Sequence, residues 1–275
     1  MKRNETSNAL LRDAEISQHC ELKGGYREII LKCPDVASAV APGQFAHLRV
    51  PHLEHRILRR PFSIFKAEDG YLVIIYKCVG VGTEMLAKAE VGEKLSVLGP
   101  LGNGFPYPAS GVTPVLVGGG YGAAALYMTA KRSNAHGIVF LGGRTQEDLL
   151  CVEDFKLLGW DVAVATEDGS LGKQGLITEL LDAWLAKRSM AGNAFEFFAC
   201  GPHGMLKAVG ERAVSTGSKG WLSMDRPMGC GVGACLACVQ KIRQESGQWE
   251  YERICKDGPV FECRDICWDD CGGAE

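Results

Sequence analysis

The chain has 275 residues, 46% hydrophobic and 23% charged, with 30 basic against 33 acidic side chains and a formal charge of −3. That length supports two or three cores rather than one, and the balanced charge argues against a nucleic acid partner. Met1–Gln18 is polar and lacks an apolar centre, so no secretory leader is expected.

Residues 1–108 alternate polar and apolar positions over short runs. Tyr26–Lys32, Gln44–Val50 and Tyr71–Lys77 read as strands, separated by Cys33-Pro34-Asp35, Pro42-Gly43 and Glu68-Asp69-Gly70. Many short strands with such turns predict a small antiparallel β-barrel. A helix is expected over Thr83–Glu90. Leu98–Pro108, rich in Gly and Pro, reads as an ordered connection leaving the barrel.

From residue 109 to 224 the period changes. Val115–Val117, Gly137–Leu141, Trp160–Thr166, Phe195–Cys200 and Trp221–Ser223 are short apolar strands. Helical patterns lie between them at Ala123–Arg132, Gln146–Leu158, Leu176–Lys187 and Met205–Ser215. This alternation predicts a doubly wound α/β domain on a parallel sheet. The uncharged run 112–130 holds Pro114 and Gly118-Gly119-Gly120, which suit a strand, a turn and a helix better than a membrane span. No membrane association is expected.

Residues 225–275 form a third, cysteine-rich unit. Of the 12 cysteines, 7 fall in the last 46 residues. Without a leader, metal ligation in a reducing cytoplasm accounts for them better than disulfides. Cys230, Cys235 and Cys238 follow C-x₄-C-x₂-C, and Cys255 follows after 16 intervening residues. This is the plant-type spacing for a [2Fe–2S] cluster. Gly229, Gly231 and Gly233 let the loop turn tightly and bring amides to the sulfurs. Zinc is the alternative, but zinc sites usually pair C-x₂₋₄-C motifs, often with histidine, whereas three of these thiols share one short loop. Cys263, Cys267 and Cys271, four apart, would line one helix face, as spare thiols, as a second metal site or as replacement ligands at the first.

Three other motifs suit phosphates. Arg60-Pro61-Phe62-Ser63 offers a planar fork of donors and a hydroxyl around a rigid proline, though a surface Arg and a strand-edge Ser would look the same. Gly80-Val81-Gly82-Thr83 precedes the expected helix and would expose amides there. Gly118-Gly119-Gly120 stands where a strand meets a helix, the usual ligand edge of an α/β sheet, or else is only a tight turn. Gly142-Gly143-Arg144, Glu167-Asp168 and Cys200-Gly201-Pro202 end the neighbouring strands on the same edge. Glu167 or Asp168 could accept from ribose hydroxyls, favouring NAD over NADP, while Arg144 cuts against that preference. Cys200 suits the wall of a nicotinamide site or a small buried position.

The order Pro42-Gly-Gln-Phe45, Arg60–Ser63, Gly82-Thr83, Gly118–Gly120, Cys200–Pro202 and then the cysteine loop resembles the ferredoxin-reductase superfamily. Leu98–Gly104, Ser223-x-Asp225-x-x-Met228 and Cys255-x-Asp-Gly-Pro-Val260 narrow the resemblance to the electron-transfer subunits of type B dihydroorotate dehydrogenases. The resemblance, over roughly residues 12–262, implies FAD on the barrel, held by Arg60, Pro61, Phe62, Ser63, Ile75, Tyr76, Lys77, Gly82 and Thr83. It implies NAD at the sheet and a [2Fe–2S] cluster on Cys230, Cys235, Cys238 and Cys255. It also implies a separate FMN-containing catalytic subunit in a heterotetramer, oxidising dihydroorotate to orotate in pyrimidine biosynthesis. No residue needs to act as an acid or base, and nothing in the chain suggests a dihydroorotate site. Two alternatives are an equivalent subunit of an NADH-dependent ferredoxin:NADP oxidoreductase, sulfide dehydrogenase or hydrogenase, and a non-enzymatic metal-stabilised scaffold.

Overall fold

The computed structural model describes residues 9–53, 57–188 and 194–268. Its strands in chain order are β1 Leu10–Glu21, β2 Tyr26–Lys32, β3 Phe45–Leu48, β4 Arg60–Ser63, β5 Lys66–Glu68, β6 Tyr71–Lys77, β7 Lys94–Leu101, β8 Thr113–Gly119, β9 Ile138–Gly143, β10 Asp161–Thr166, β11 Lys173–Gln174, β12 Phe195–Cys200, β13 Lys219–Ser223, β14 Val239–Arg243, β15 Trp249–Arg253 and β16 Val260–Glu262. The helices are α1 Pro34–Ala37, α2 Val81–Leu86, α3 Gly122–Lys131, α4 Val152–Leu157, α5 Ile177–Arg188 and α6 His203–Ser215.

The first sheet runs β4-β3-β7-β1-β2-β6-β5, all antiparallel. It curls into a half-barrel. Phe62 on its edge strand β4 meets Tyr76 on β6 near the other edge, edge to face with ring centroids 5.6 Å apart. β2 and β6 keep the expected bounds because their alternation holds one apolar face inward; Ile29, Leu31, Leu72 and Ile74 are wholly buried. One strand here was not anticipated and one expectation changes. The polar N-terminal stretch forms β1, the twelve-residue middle strand, and only Ala14 and Ile16 along it are fully buried. Leu98–Leu101 is not a connection but the end of β7.

The second sheet runs β11-β10-β9-β8-β12-β13-β16, parallel except for β16. β8 is buried at all but one position, as a central parallel strand covered on both faces must be. Next to it α3 is buried from Gly122 to Ala130, its small alanines allowing close approach to the sheet. The uncharged run 112–130 is therefore β8, a turn and α3, and among the described residues no helix is long and apolar enough to cross a membrane. The expected helix over Gln146–Leu158 is broken. A 3₁₀ turn at Gln146–Asp148 is separated from α4 by Cys151, whose φ is +61°.

The cysteine-rich unit holds the β14–β15 hairpin and returns β16 to the second sheet beside β13. Cys263 and Cys267 share no α-helix. Cys263 opens a 3₁₀ turn and is buried, and the Cys267 amide donates to the Lys241 carbonyl at 3.0 Å. Cys271 lies outside the described residues.

Candidate cofactor sites and cluster loop

The two phosphate motifs of the barrel are one place. A β-carbon on Gly82 would stand 2.8 Å from Arg60 Nε, so the guanidinium lies over the Gly80–Thr83 turn. Arg60 Nη1 donates to the Leu58 carbonyl at 2.6 Å, which steers the fork. The Thr83 hydroxyl accepts from the amides of Val79 and Gly80 at 2.9 and 3.2 Å and donates to the Gly80 carbonyl. It orders the turn and is not a free donor. Phe62 is buried and Ser63 half-buried, the latter opposite Phe45.

Ile75, Tyr76 and Lys77 are placed differently from a simple ligand-contact run. Ile75 and Tyr76 are buried. His19 Nδ1 lies 2.8 Å from the Ala89 carbonyl and must carry the proton, so the Tyr76 hydroxyl donates to His19 Nε2, also at 2.8 Å. β5 begins opposite Val73, leaving that edge of β6 open from Ile75 to Lys77 among the described residues. The backbone there, rather than the side chains, is what a flat heterocycle could pair with. Lys77 Nζ instead bonds Asp148 Oδ1 at 2.8 Å, and Tyr26 Oη donates to the same oxygen at 2.9 Å. Burial pushes the Asp148 carboxyl up, but Lys77, Tyr26 and the Arg144 amide outweigh it and hold it below its ordinary range. This knot ties the flavin-type barrel to the turn after β9.

At the second sheet four strand ends do converge. The Gly120 amide donates to the Gly142 carbonyl at 3.1 Å, and the amides of Glu167 and Asp168 donate to the carbonyls of Gly143 and Arg144, each at 3.1 Å. Gly118 abuts Ala123, while Gly119 and Gly201 pack so closely that a β-carbon on Gly119 would meet Pro202 Cδ at 2.7 Å. Only glycine lets these two turns meet, and the cradle they form suits a dinucleotide backbone. Glu167 is exposed. Asp168 accepts from the Ser170 amide and hydroxyl at 2.9 and 2.6 Å, which hold its carboxyl below the ordinary range. Cys200 sits opposite Gly118, and burial pushes its thiol up to about 12, so it lines the cradle as a neutral group.

The cysteines gather as two pairs. Cys230 Sγ accepts from the amides of Ala234, Cys235 and Val232 at 3.2, 3.4 and 3.5 Å, and the Cys230 amide donates to Cys235 Sγ at 3.4 Å. The Cys255 amide donates to Cys238 Sγ at 3.4 Å. Burial pushes the Cys230 thiol up, but the three amides and Cys235 bring it down to about 6. Cys238 and Cys255 are buried, and burial with the Cys238 sulfur pushes Cys255 up to about 12. Among the described residues no three His, Cys, Asp or Glu side chains gather as a single-ion site. Two thiol pairs fit a two-iron cluster, each pair on one iron, and amide donors around sulfur are what such a cluster requires. Binding it would strip protons from the inner pair.

The loop is fastened to the barrel by two motifs to which the sequence assigned no structural role. Asn103 Nδ2 donates to the carbonyls of Lys256 and Asp257, both at 3.1 Å. Gly102, with φ +74°, lies so close to Gly258 and Pro259 that a β-carbon would meet Pro259 Cδ at 2.6 Å. The Leu98–Gly104 and Cys255–Val260 motifs are thus two halves of one joint. Their signal was the polar Asn103 held between two glycines. Phe45 shares a core with Cys238 and Cys255. His47 is wholly buried beside Gly231, and burial with the charge of Arg59 pushes its imidazole down to about 4.

The half-barrel, the parallel sheet and the docked thiol loop define a ferredoxin-reductase-like electron-transfer protein with a plant-type cluster loop. Residues 225–267 match the model of the iron–sulfur cluster binding domain of dihydroorotate dehydrogenase B. The chain is 36% identical over 241 residues to the electron transfer subunit of dihydroorotate dehydrogenase B (NAD⁺) from Desulforamulus reducens, covering 86% of this chain and 90% of that one. Against the Bacillus mycoides subunit it is 37% identical over 254 residues, covering 90% and 94%. It superimposes on the NADH-dependent reduced ferredoxin–NADP oxidoreductase with a TM-score of 0.80 at 29% identity, covering 94% and 90%. The ferredoxin reductase of carbazole 1,9a-dioxygenase shares the fold at 23% identity and a TM-score of 0.64, covering 76% and 67%. The chain belongs to the family of electron transfer subunits of dihydroorotate dehydrogenase B.

Proposed function

We propose that this chain passes electrons between NAD and a partner dehydrogenase that oxidises dihydroorotate to orotate, a step of pyrimidine biosynthesis. The observation that carries the reading is the joint at Asn103, Gly102 and Pro259, which seats two thiol pairs directly on the flavin-type barrel. When bound, FAD exchanges a hydride with NAD and single electrons with the [2Fe–2S] cluster, so it belongs between them. Arg60 and the Gly80–Thr83 turn would hold the FAD pyrophosphate, with Phe62, Ser63 and the open edge Ile75–Lys77 beside the ring. Gly118–Gly120 and Cys200–Pro202 would hold the nicotinamide end of NAD, and exposed Glu167 would take the ribose. Asp168 is committed to Ser170 and contributes less. Cys230 and Cys235 would hold the outer iron, Cys238 and Cys255 the inner one.

The partner would be an FMN-containing catalytic subunit in a heterotetramer, in the reducing cytoplasm. Val232 and Leu236 stand exposed beside the outer thiols and give that subunit an apolar contact over the cluster. The test is co-purification of the native complex under anaerobic conditions. It should carry flavin, about two iron and two sulfide per chain, and dihydroorotate-dependent NAD⁺ reduction. Bound flavin and cluster with no such activity, but with ferredoxin and NADP activity, would favour the second reading. That reading, a subunit of an NADH-dependent ferredoxin–NADP oxidoreductase, has the 29% structural match in its support.

A further inference from the structure

His47 lies in the strand opposite the Arg60–Ser63 motif, yet it faces the cysteine loop. It is wholly buried, and neither of its ring nitrogens has a hydrogen-bond partner among the described residues. Buried polar groups are nearly always paired, so an imidazole with both nitrogens orphaned points to a missing partner. Its own sheet cannot supply one. Directly opposite His47 stand Pro61 on β4 and Leu98 on β7, neither with a polar side chain. Phe45 flanks it along the strand, ring centroids 5.7 Å apart. The nearby Arg59 guanidinium, whose charge acts on the ring, donates to the Ser96 carbonyl and hydroxyl instead, and the layer in front of the imidazole is Gly231. A β-carbon there would stand 2.5 Å from His47 Cε1, 2.6 Å from Nδ1 and 2.9 Å from Nε2. The imidazole edge therefore presses on the backbone next to Cys230, at a position whose φ of +72° already demands glycine.

The geometry points to His47 as a hydrogen-bond donor to the iron–sulfur site, through a cluster sulfide or the Cys230 thiolate. In either tautomer a neutral imidazole carries one N–H. The inference rests on the cluster reading above and adds a positioning residue to it, supplied by the barrel rather than by the cysteine loop. Hydrogen bonds to sulfur stabilise the more negative, reduced cluster and raise its potential. Through His47 the barrel strand next to the flavin motif would set how readily the cluster accepts an electron.

The test uses the anaerobically purified complex. In EPR-monitored redox titration, His47→Leu should lower the cluster potential by the equivalent of about tenfold in its reduction equilibrium, about 59 mV for one electron. His47→Asn, which keeps a donor, should recover part of that shift. Iron content and flavin potential should stay as in the wild type. An unchanged cluster potential in a fully loaded His47→Leu protein overturns the inference. Should that variant fail to fold, the wild type decides. With ¹⁵N-labelled histidine, pulsed EPR of the reduced cluster should show coupling to one imidazole nitrogen. A normal cluster signal without that coupling overturns the inference alone, and a wild-type complex with no cluster signal overturns the electron-transfer reading as well.

Discussion

The guanidinium of Arg60 occupies the space beside Gly82 that a side chain would need, with Nε 2.8 Å from the ideal β-carbon position. One residue supplies the charge and the other its room, so the two substitutions should act alike. Gly82→Val should displace the fork and weaken flavin retention tenfold or more, about 1.4 kcal/mol. Arg60→Ala should cost about 1.5–3 kcal/mol of binding by removing charge-assisted hydrogen bonds. Flavin release followed by fluorescence checks both. Thr83→Val should also weaken binding, through disorder of the turn, because its hydroxyl is spent on Val79 and Gly80.

Asp148 joins barrel to sheet through Lys77 and Tyr26, and its carboxyl is held below the ordinary range. A carboxyl depressed on folding stabilises above its unfolded value, near 4, and loses that contribution as pH falls through the folded value. Asp148→Asn should therefore destabilise by about 1–3 kcal/mol at pH 7. The gap to wild type should close below about pH 4. Urea midpoints at the two pH values measure it. The Asn variant should also raise the KM for NADH, since the Arg144 amide bonds the same carboxylate at the edge of the dinucleotide cradle.

Much of this was legible because short-range pattern and burial agree. β2, β6 and β12 keep their expected bounds, each being a run of apolar and β-branched or aromatic residues between turn formers. β1 was illegible for the opposite reason. It is a middle strand whose burial comes from its neighbours β2 and β7, and its own residues are mostly exposed and polar. The motifs named the sites, but not their joints. Nothing local in Asn103, Asp148 or His47 marks a partner 153, 71 or 184 positions away; the curl of the sheet brings each to its place. The Lys77 side chain was hidden for the same reason, since its partner Asp148 lies across the interface between barrel and sheet.

Cys263 is a core side chain. It packs under α6 and β13, its sulfur 2.9 Å from where a β-carbon on Gly220 would stand. Burial with the neighbouring Glu262 pushes its thiol up to about 12. Cys263→Ala should cost about 0.5–3 kcal/mol of stability and leave iron and sulfide content unchanged. Iron lost in proportion to Cys263, in protein that still folds, would restore a second metal site.

Cys235 is the exposed member of the outer pair, while Cys238 and Cys255 are buried against Phe45. Its removal should therefore strike the cluster without unseating the loop, which is fastened through Asn103 at the other end. Cys235→Ser should abolish electron transfer to the partner subunit while leaving NADH oxidation with artificial acceptors within about twofold of wild type, because the residues that would hold a flavin on the barrel all lie outside the cysteine loop. Cys255→Ser should do more damage, because it places a hydroxyl in a buried core beside the Ile254–Cys238 joint. Its thermal stability should fall along with its iron. Parallel assays of diaphorase activity, iron content and melting temperature separate the two cysteines. Equal loss of both activities in Cys235→Ser would place the cluster ahead of the flavin on the NAD side, against the order argued here.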